Sequence, residues 1–85
     1  MFDQELCEKF AKEIAKANGL SLEEAQEFGL KVRPDSNDWA SSDDGAYGFI
    51  MWEEGPYEWA YSPVSIDGFY MEAICGWGLV GIYEI

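Results

Sequence analysis

The sequence predicts an α+β domain in which an N-terminal two-helix segment packs on a three- or four-stranded antiparallel sheet. Its 85 residues are enough for one small domain. Apolar residues recur at helical spacing up to position 33, and alternating apolar residues separated by turn signals follow. With 48% hydrophobic and 16% aromatic residues, the chain is too apolar for a disordered acidic tail. We therefore expect one domain over 1–85, with a helical part (1–33) and an acidic, aromatic-rich β part (34–85).

The first predicted helix begins after Asp3, a residue type that accepts a hydrogen bond at a helix N-cap. The helix ends at Asn18-Gly19, because glycine readily adopts the left-handed conformation that stops a helix. Between these signals, one apolar stripe is formed at spacings of four, four and three residues by Leu6, Phe10, Ile14 and Ala17.

A second, shorter helix is predicted from a capping box formed by Ser21 and Glu24. Its apolar residues are Leu22, Ala25 and Phe28, and Gly29 ends it. The next four residues, 30–33, are expected to form a short extended segment, because Pro34 disfavours helix at the residue before it.

The remaining elements are predicted to be strands joined in two hairpins. The first hairpin pairs 47–52 with 57–62 around a turn at 53–56, and Pro63 ends it. After a turn at Asp67-Gly68, the second hairpin pairs 69–75 with 79–85 across the glycine-containing segment 76–78. Residues 72–75 are also compatible with a helical turn, which leaves the register of the second hairpin open.

Charge is distributed unevenly along the chain. Five lysines and arginines stand against seventeen aspartates and glutamates, for a net charge of −12. All five basic residues lie in the first 33 positions beside seven acidic ones, whereas 34–85 carries ten acidic residues and no basic one. Nucleic acids and anionic membrane surfaces are poor partners for such a chain, and a basic protein surface is a good one.

Several classes of catalytic and metal site are excluded by residue type or spacing. The chain has no histidine, so Ser-His, Cys-His and His-metal chemistry are absent. An EF-hand loop starting at Asp35 would need glycine and glutamate where Ala40 and Ala46 stand. The carboxylate pair of a glycosidase could come from Glu53, Glu54, Glu58 or Glu72, but so small a domain offers little material for a cleft. We expect no enzymatic activity, no cofactor and no metal.

The chain lacks features of secretion or membrane insertion. Its first residues, Met-Phe-Asp-Gln-Glu, do not resemble a signal peptide, and its longest charge-free apolar stretch, 73–83, is too short to span a bilayer. Cys7 and Cys75 are expected to be free thiols in a reducing compartment. These features predict a cytoplasmic protein.

The candidate binding residues combine carboxylates with aromatic rings. Exposed aromatic rings surrounded by carboxylates are typical of a protein-binding surface. The alternative is that the alternating Tyr57, Trp59 and Tyr61 form only the core face of a strand. The candidate partner-binding residues are Asp35, Asp38, Asp43, Asp44, Glu53, Glu54, Tyr57, Glu58 and Trp59.

In size, acidity and aromatic content, the chain resembles small phage-encoded anti-defence proteins, including anti-CRISPRs and DNA mimics. The resemblance implies a non-enzymatic inhibitor, acting in the cytoplasm of a bacterial host, that occludes a basic nucleic-acid-binding surface of a defence protein or nuclease. The same composition also resembles immunity proteins against nuclease toxins. A small acidic accessory subunit without inhibitory role is a further alternative, and a divalent-cation-binding module using 35–44 is a more distant one.

Overall fold

Two helices lie on one face of a five-stranded antiparallel sheet in a computed structural model of the chain. The structure describes residues 2–35, 45–53, 59–75 and 78–85, without the side chain of Cys75. Its elements are α1 (Gln4–Ala17), α2 (Leu22–Glu27), β1 (Lys31–Arg33), β2 (Gly48–Met51), β3 (Ser65–Ile66), β4 (Phe69–Cys75) and β5 (Leu79–Glu84). The α+β class is confirmed, and the described residues form five strands rather than three or four.

Helix α1 begins and ends where its capping residues predict. The Asp3 carboxylate accepts a hydrogen bond from the Leu6 N–H at 3.0 Å. At the other end Gly19 has φ +72°, and the N–H groups of Gly19 and Leu20 reach back to carbonyls of the last turn. This pattern is a Schellman motif, which satisfies carbonyls that the helix itself leaves unpaired. Of the predicted stripe, Leu6, Phe10 and Ile14 are buried, whereas Ala17 is exposed.

Helix α2 has the predicted capping box but buries little. Ser21 and Glu24 exchange backbone and side-chain hydrogen bonds of 3.0 and 3.2 Å, as the sequence pattern predicts. Ala25 is the buried residue of this helix. Phe28 was expected on the apolar face, but it is the C-cap and remains 51% exposed. A six-residue helix makes less than two turns, so its last residue lies past the side that faces α1.

The sheet has the strand order β1-β2-β5-β4-β3. Strands β4 and β5 form the predicted second hairpin, so the helical turn considered for 72–75 is wrong. The unpredicted β3 pairs with β4 across Asp67 and Gly68, whose φ values of 52° and 84° fit a two-residue type I′ turn. Both outer strands are short, and β1 also carries two basic residues followed by proline, which discourages further edge-to-edge pairing.

The first predicted hairpin is wrong. Strand β2 pairs with β1 on one side and with β5 on the other, so its two hydrogen-bonding edges are both occupied. Residues 59–64 are not in a strand, and 54–58 lie outside the described residues. A period-two pattern fits any half-buried extended segment and does not specify its partner. Here the fully apolar β5 pairs with β2 instead of the nearer segment.

Each face of the sheet has an apolar cluster. The larger one lies under the helices and joins residues of α1 and α2 to Ile50, Met71, Val80 and Ile82. The two layers approach closely at Gly48, where a Cβ atom would overlap Cys7 Sγ, so this position in β2 requires glycine. A smaller cluster on the opposite face contains Phe49 and Leu79, which are 3% and 1% exposed. This two-sided burial explains why β2 and β5 lack strict alternation of apolar and polar residues.

Candidate functional site

The candidate site lies at the end of the sheet where β2 stops. The chain leaves the described sheet at Trp52, which is 8% exposed and donates its N–H to the Gly78 carbonyl at 2.9 Å. It returns at Trp59 and Tyr61, whose ring centroids lie 6.3 and 5.8 Å from that of Trp52. We call these three residues the Trp52 cluster. The segment 53–59, which carries five of the candidate binding residues, therefore starts and ends beside the same indole ring.

Glu53 lies against the C-terminal end of α2. A Cβ atom built at Gly29 would be 3.7 Å from Glu53 Cβ, in ordinary van der Waals contact. Helix α2 contributes three glutamates and no basic residue to this end of the molecule. We call Glu23, Glu24, Glu27 and Glu53 the α2 acidic face; all four are exposed. Lys31 is at the same end, but strand alternation places it on the face of the sheet opposite the helices.

The carboxylates of α2 were missing from the candidate residues. They were grouped with a helical part whose overall charge is near zero, and the average concealed their local excess. The available signal was the composition of each helix: α1 contains three glutamates and three lysines, whereas α2 contains three glutamates alone among its ionised residues. Counting charge per element would have separated the two helices.

The structure does not bring all of the candidate residues together. Asp35 follows the Arg33 end of β1, which pairs with the beginning of β2, whereas Glu53 follows the other end of β2. Asp35 is exposed and its Oδ1 lies 3.4 Å from Arg33 Nη2, so part of its charge is compensated. Glu53 and Trp59 belong to the Trp52 end. The other six candidates, Asp38, Asp43, Asp44, Glu54, Tyr57 and Glu58, lie outside the described residues.

Trp59 combines features of both interpretations that the sequence allowed. It is half-buried, packs against the main core and contacts the ring of Trp52. Part of its surface is still accessible to a partner. We therefore expect its removal to affect the fold as well as any complex. The more exposed aromatic ring at this end is Phe28, which directly precedes Gly29 at the acidic face.

Titration of the perturbed groups does not create a reactive centre at this end. Burial, with a smaller contribution from the Asp3 charge, raises the pKa of the Cys7 thiol to about 11. Burial and the nearby Glu84 carboxylate also raise the pKa of Tyr47, whose hydroxyl donates to Glu84 Oε1 at 3.4 Å. Both groups are thus held in their neutral forms near pH 7. They lie at the end of the sheet where β2 begins, away from the Trp52 cluster.

Two searches of the described residues return nothing. No three of their cysteine, aspartate or glutamate side chains converge as metal ligands would. No described helix has the length and apolarity needed to cross a bilayer.

Comparison with protein-family models, curated protein sequences and solved structures finds no match. The α+β class is therefore the level at which the fold defines this protein, and its function has to be argued from the surface of the chain itself.

Proposed function

We propose that this protein is a non-enzymatic inhibitor that binds a basic, nucleic-acid-binding surface of a bacterial defence protein or nuclease, in the cytoplasm of the host. The observation that carries the proposal is the meeting of α2 with Glu53. Two parts of the chain that are remote in sequence place carboxylates at one end of the molecule. The acidic residues Glu54 and Glu58 lie in the segment that continues from there.

The proposed mechanism is occlusion. Carboxylates of the α2 acidic face and of 53–58 attract lysines and arginines that otherwise hold phosphates, and this attraction accelerates association. Apolar contact with the exposed part of Phe28 and Trp59 slows dissociation, because aromatic anchors usually supply much of the binding energy in protein complexes. No chemical step on the partner is required.

A capture experiment with matched charge changes tests the proposal. The wild-type protein is immobilised beside two double variants with equal net charge, Glu23→Lys/Glu27→Lys and Glu5→Lys/Glu72→Lys. Each pair reverses one glutamate in the first turn of a helix and one exposed glutamate elsewhere. Bacterial lysate is applied, proteins are eluted with salt, and each captured protein is purified and assayed for nucleic-acid binding with and without the inhibitor.

We expect the wild type and the Glu5→Lys/Glu72→Lys control to capture the same protein and to block its nucleic-acid binding. The α2 double variant should bind it at least about tenfold more weakly, because it reverses charge at the interface. Equal binding by both double variants would contradict the location of the site. A captured protein whose nucleic-acid binding is unaffected would contradict inhibition by occlusion and favour the accessory-subunit alternative.

Kinetics refine the role of the segment 53–59. Reversing Glu53, Glu54 and Glu58 to lysine should slow association with the captured protein by about tenfold at low salt and much less at high salt. An association rate that is independent of ionic strength, for both the wild type and the triple variant, would show that charge does not guide the encounter.

A further inference from the structure

We propose that Asn18 is a positioning residue that clamps Ala60 and thereby fixes Trp59 at the closed base of the segment 53–59. That this arrangement serves binding rests on the function proposed above. The clamp itself is a property of the free protein, and it joins the C-cap of α1 to a residue 42 positions away.

The hydrogen bonds of the Asn18 carboxamide define the clamp. Its Nδ2 donates to the Ala60 carbonyl at 2.7 Å, and its Oδ1 accepts from the Ala60 N–H at 2.7 Å. The side chain thus pairs with both backbone polar groups of one residue, as a neighbouring strand would. The second Nδ2 proton is directed to the Ile14 carbonyl, also at 2.7 Å, which the end of α1 leaves without its usual partner.

The position of Ala60 explains why such a tie is needed. Residues 59–64 are not in a strand, so the sheet does not hold their backbone in place. Ala60 is itself exposed and is not part of the apolar clusters. Its neighbours Trp59 and Tyr61 nevertheless pack against the main core and Trp52. Holding the backbone between them restrains both rings at once.

The other end of the segment is held by the sheet. Trp52 donates its N–H to the Gly78 carbonyl, and a Cβ atom at Gly78 would approach the Trp52 carbonyl oxygen and Nε1 to 2.7 and 2.8 Å. One anchor is therefore the β2–β5 ladder, and the other is Asn18. Closing a chain segment at its base reduces the conformational entropy that its residues lose when they bind.

The chemistry of the clamp is specific to a carboxamide. Aspartate could accept from the Ala60 N–H but could not donate to the carbonyls of Ala60 and Ile14, which its charge would repel. Alanine would make none of the three bonds. Both substitutions also alter the end of α1, so a control that weakens this helix end without touching the carboxamide is required.

Gly19→Ala provides that control. Gly19 has φ +72°, where alanine is strained, yet an added Cβ would meet nothing within 4 Å. The variant therefore destabilises the same helix end and leaves the Asn18 side chain in place. The test measures, by nuclear magnetic resonance, the hydrogen-exchange rate of the Ala60 amide and the Trp59 indole shift in the wild type, Asn18→Ala, Asn18→Asp and Gly19→Ala.

We expect the Ala60 amide to exchange at least about tenfold faster in Asn18→Ala and Asn18→Asp than in the wild type, with a displaced Trp59 indole signal, because local opening replaces a fixed backbone. In Gly19→Ala both signals should stay close to those of the wild type. Equal exchange in Asn18→Ala and Gly19→Ala, at conditions of matched global stability, would overturn the clamp. Wild-type protection in Asn18→Asp would do the same, since only the acceptor would then matter.

Binding of the captured protein gives a separate result. If Asn18→Ala loosens Ala60 and weakens binding more than Gly19→Ala does, the clamp positions the contact surface. If it loosens Ala60 and leaves binding unchanged, the clamp stands and the assignment of 53–59 as contact surface fails. The two proposals can thus fail independently.

Discussion

The two helices are capped in the same way but serve different purposes. Each begins at a side-chain cap and ends in a Schellman motif closed by glycine and leucine. Helix α1 buries Leu6, Cys7, Phe10, Ala11, Ile14 and Ala15, and its three glutamates are balanced by three lysines. Helix α2 buries Ala25 and carries three glutamates that no basic residue of the helix balances.

This difference shows that capping fixes where a helix starts and stops, whereas its surface decides what it does. A helix with a wide buried stripe gains its stability from the core. A helix that buries a single alanine depends on its caps, and most of its side chains remain available to a partner. The two helices therefore respond differently to substitution, and the following measurements test that contrast from the largest expected effect to the smallest.

Truncating one phenylalanine in each helix region gives the largest contrast. Phe10 is 0% exposed at the centre of the core, and Phe28 is 51% exposed. Phe10→Ala should lower the free energy of unfolding by about 3–5 kcal/mol. Phe28→Ala should change it by less than about 0.5 kcal/mol, as is usual for surface positions. Urea unfolding of both variants measures this, and equal losses would mean that Phe28 is part of the core.

Titration of Cys7 tests the buried side of α1. Its pKa is about 11 in the folded protein and near the ordinary value of 9.0 when unfolded. Above pH 9 the unfolded chain loses a proton that the folded chain keeps. The free energy of unfolding therefore falls with rising pH, by up to about 1.4 kcal/mol per pH unit, until the folded thiol titrates.

The comparison of wild type with Cys7→Ala between pH 8 and 11 isolates this contribution from other groups. The two stability curves should converge as the pH rises. Thiol labelling provides a second check: Cys7 should react slowly in the native protein at pH 8, and denaturation without a reductant should expose two reactive thiols. Parallel stability curves would indicate that Cys7 is accessible to water.

Removing the N-caps has a smaller effect. Asp3→Ala and Ser21→Ala each delete a side chain that accepts from the first turn, at a cost of about 1 kcal/mol. In α1 that loss should appear in the global unfolding transition, since the helix forms much of the core. In α2 it should appear mainly as faster hydrogen exchange of residues 22–28, with a smaller change in the melting temperature. A purely global effect of Ser21→Ala would show that α2 unfolds only with the core.

Charge reversal should have the smallest effect on stability. Glu23→Lys/Glu27→Lys and Glu5→Lys/Glu72→Lys both reduce the net charge from −12 to −8. Each should shift the free energy of unfolding by less than about 0.5 kcal/mol, with partial relief of self-repulsion at low salt. Thermal melts at low and high salt measure this. A large loss in the α2 pair alone would mean that these glutamates stabilise the fold and are not free for a partner.

Most local features of the fold could be predicted from the sequence. Asp3, Ser21 with Glu24, and the glycines at 19 and 29 mark the helix ends, because capping hydrogen bonds join residues only a few positions apart. The turn at Asp67-Gly68 and the 69–84 hairpin follow for the same reason. The carboxylate excess of the candidate site was also evident from composition, although its contribution from α2 was not.

The sequence by itself determined the helices, the close hairpins and the acidity of this protein, because each depends on neighbouring residues or on a sum of charges. Only the tertiary structure decided that β2 pairs with β5 instead of the segment around Trp59, that α2 lies against Glu53, and that Asn18 binds Ala60. These contacts span 24 to 42 residues or compete with closer partners of similar pattern. Their outcome depends on which arrangement buries the most apolar surface while satisfying every backbone hydrogen bond, and that balance is set by the whole chain.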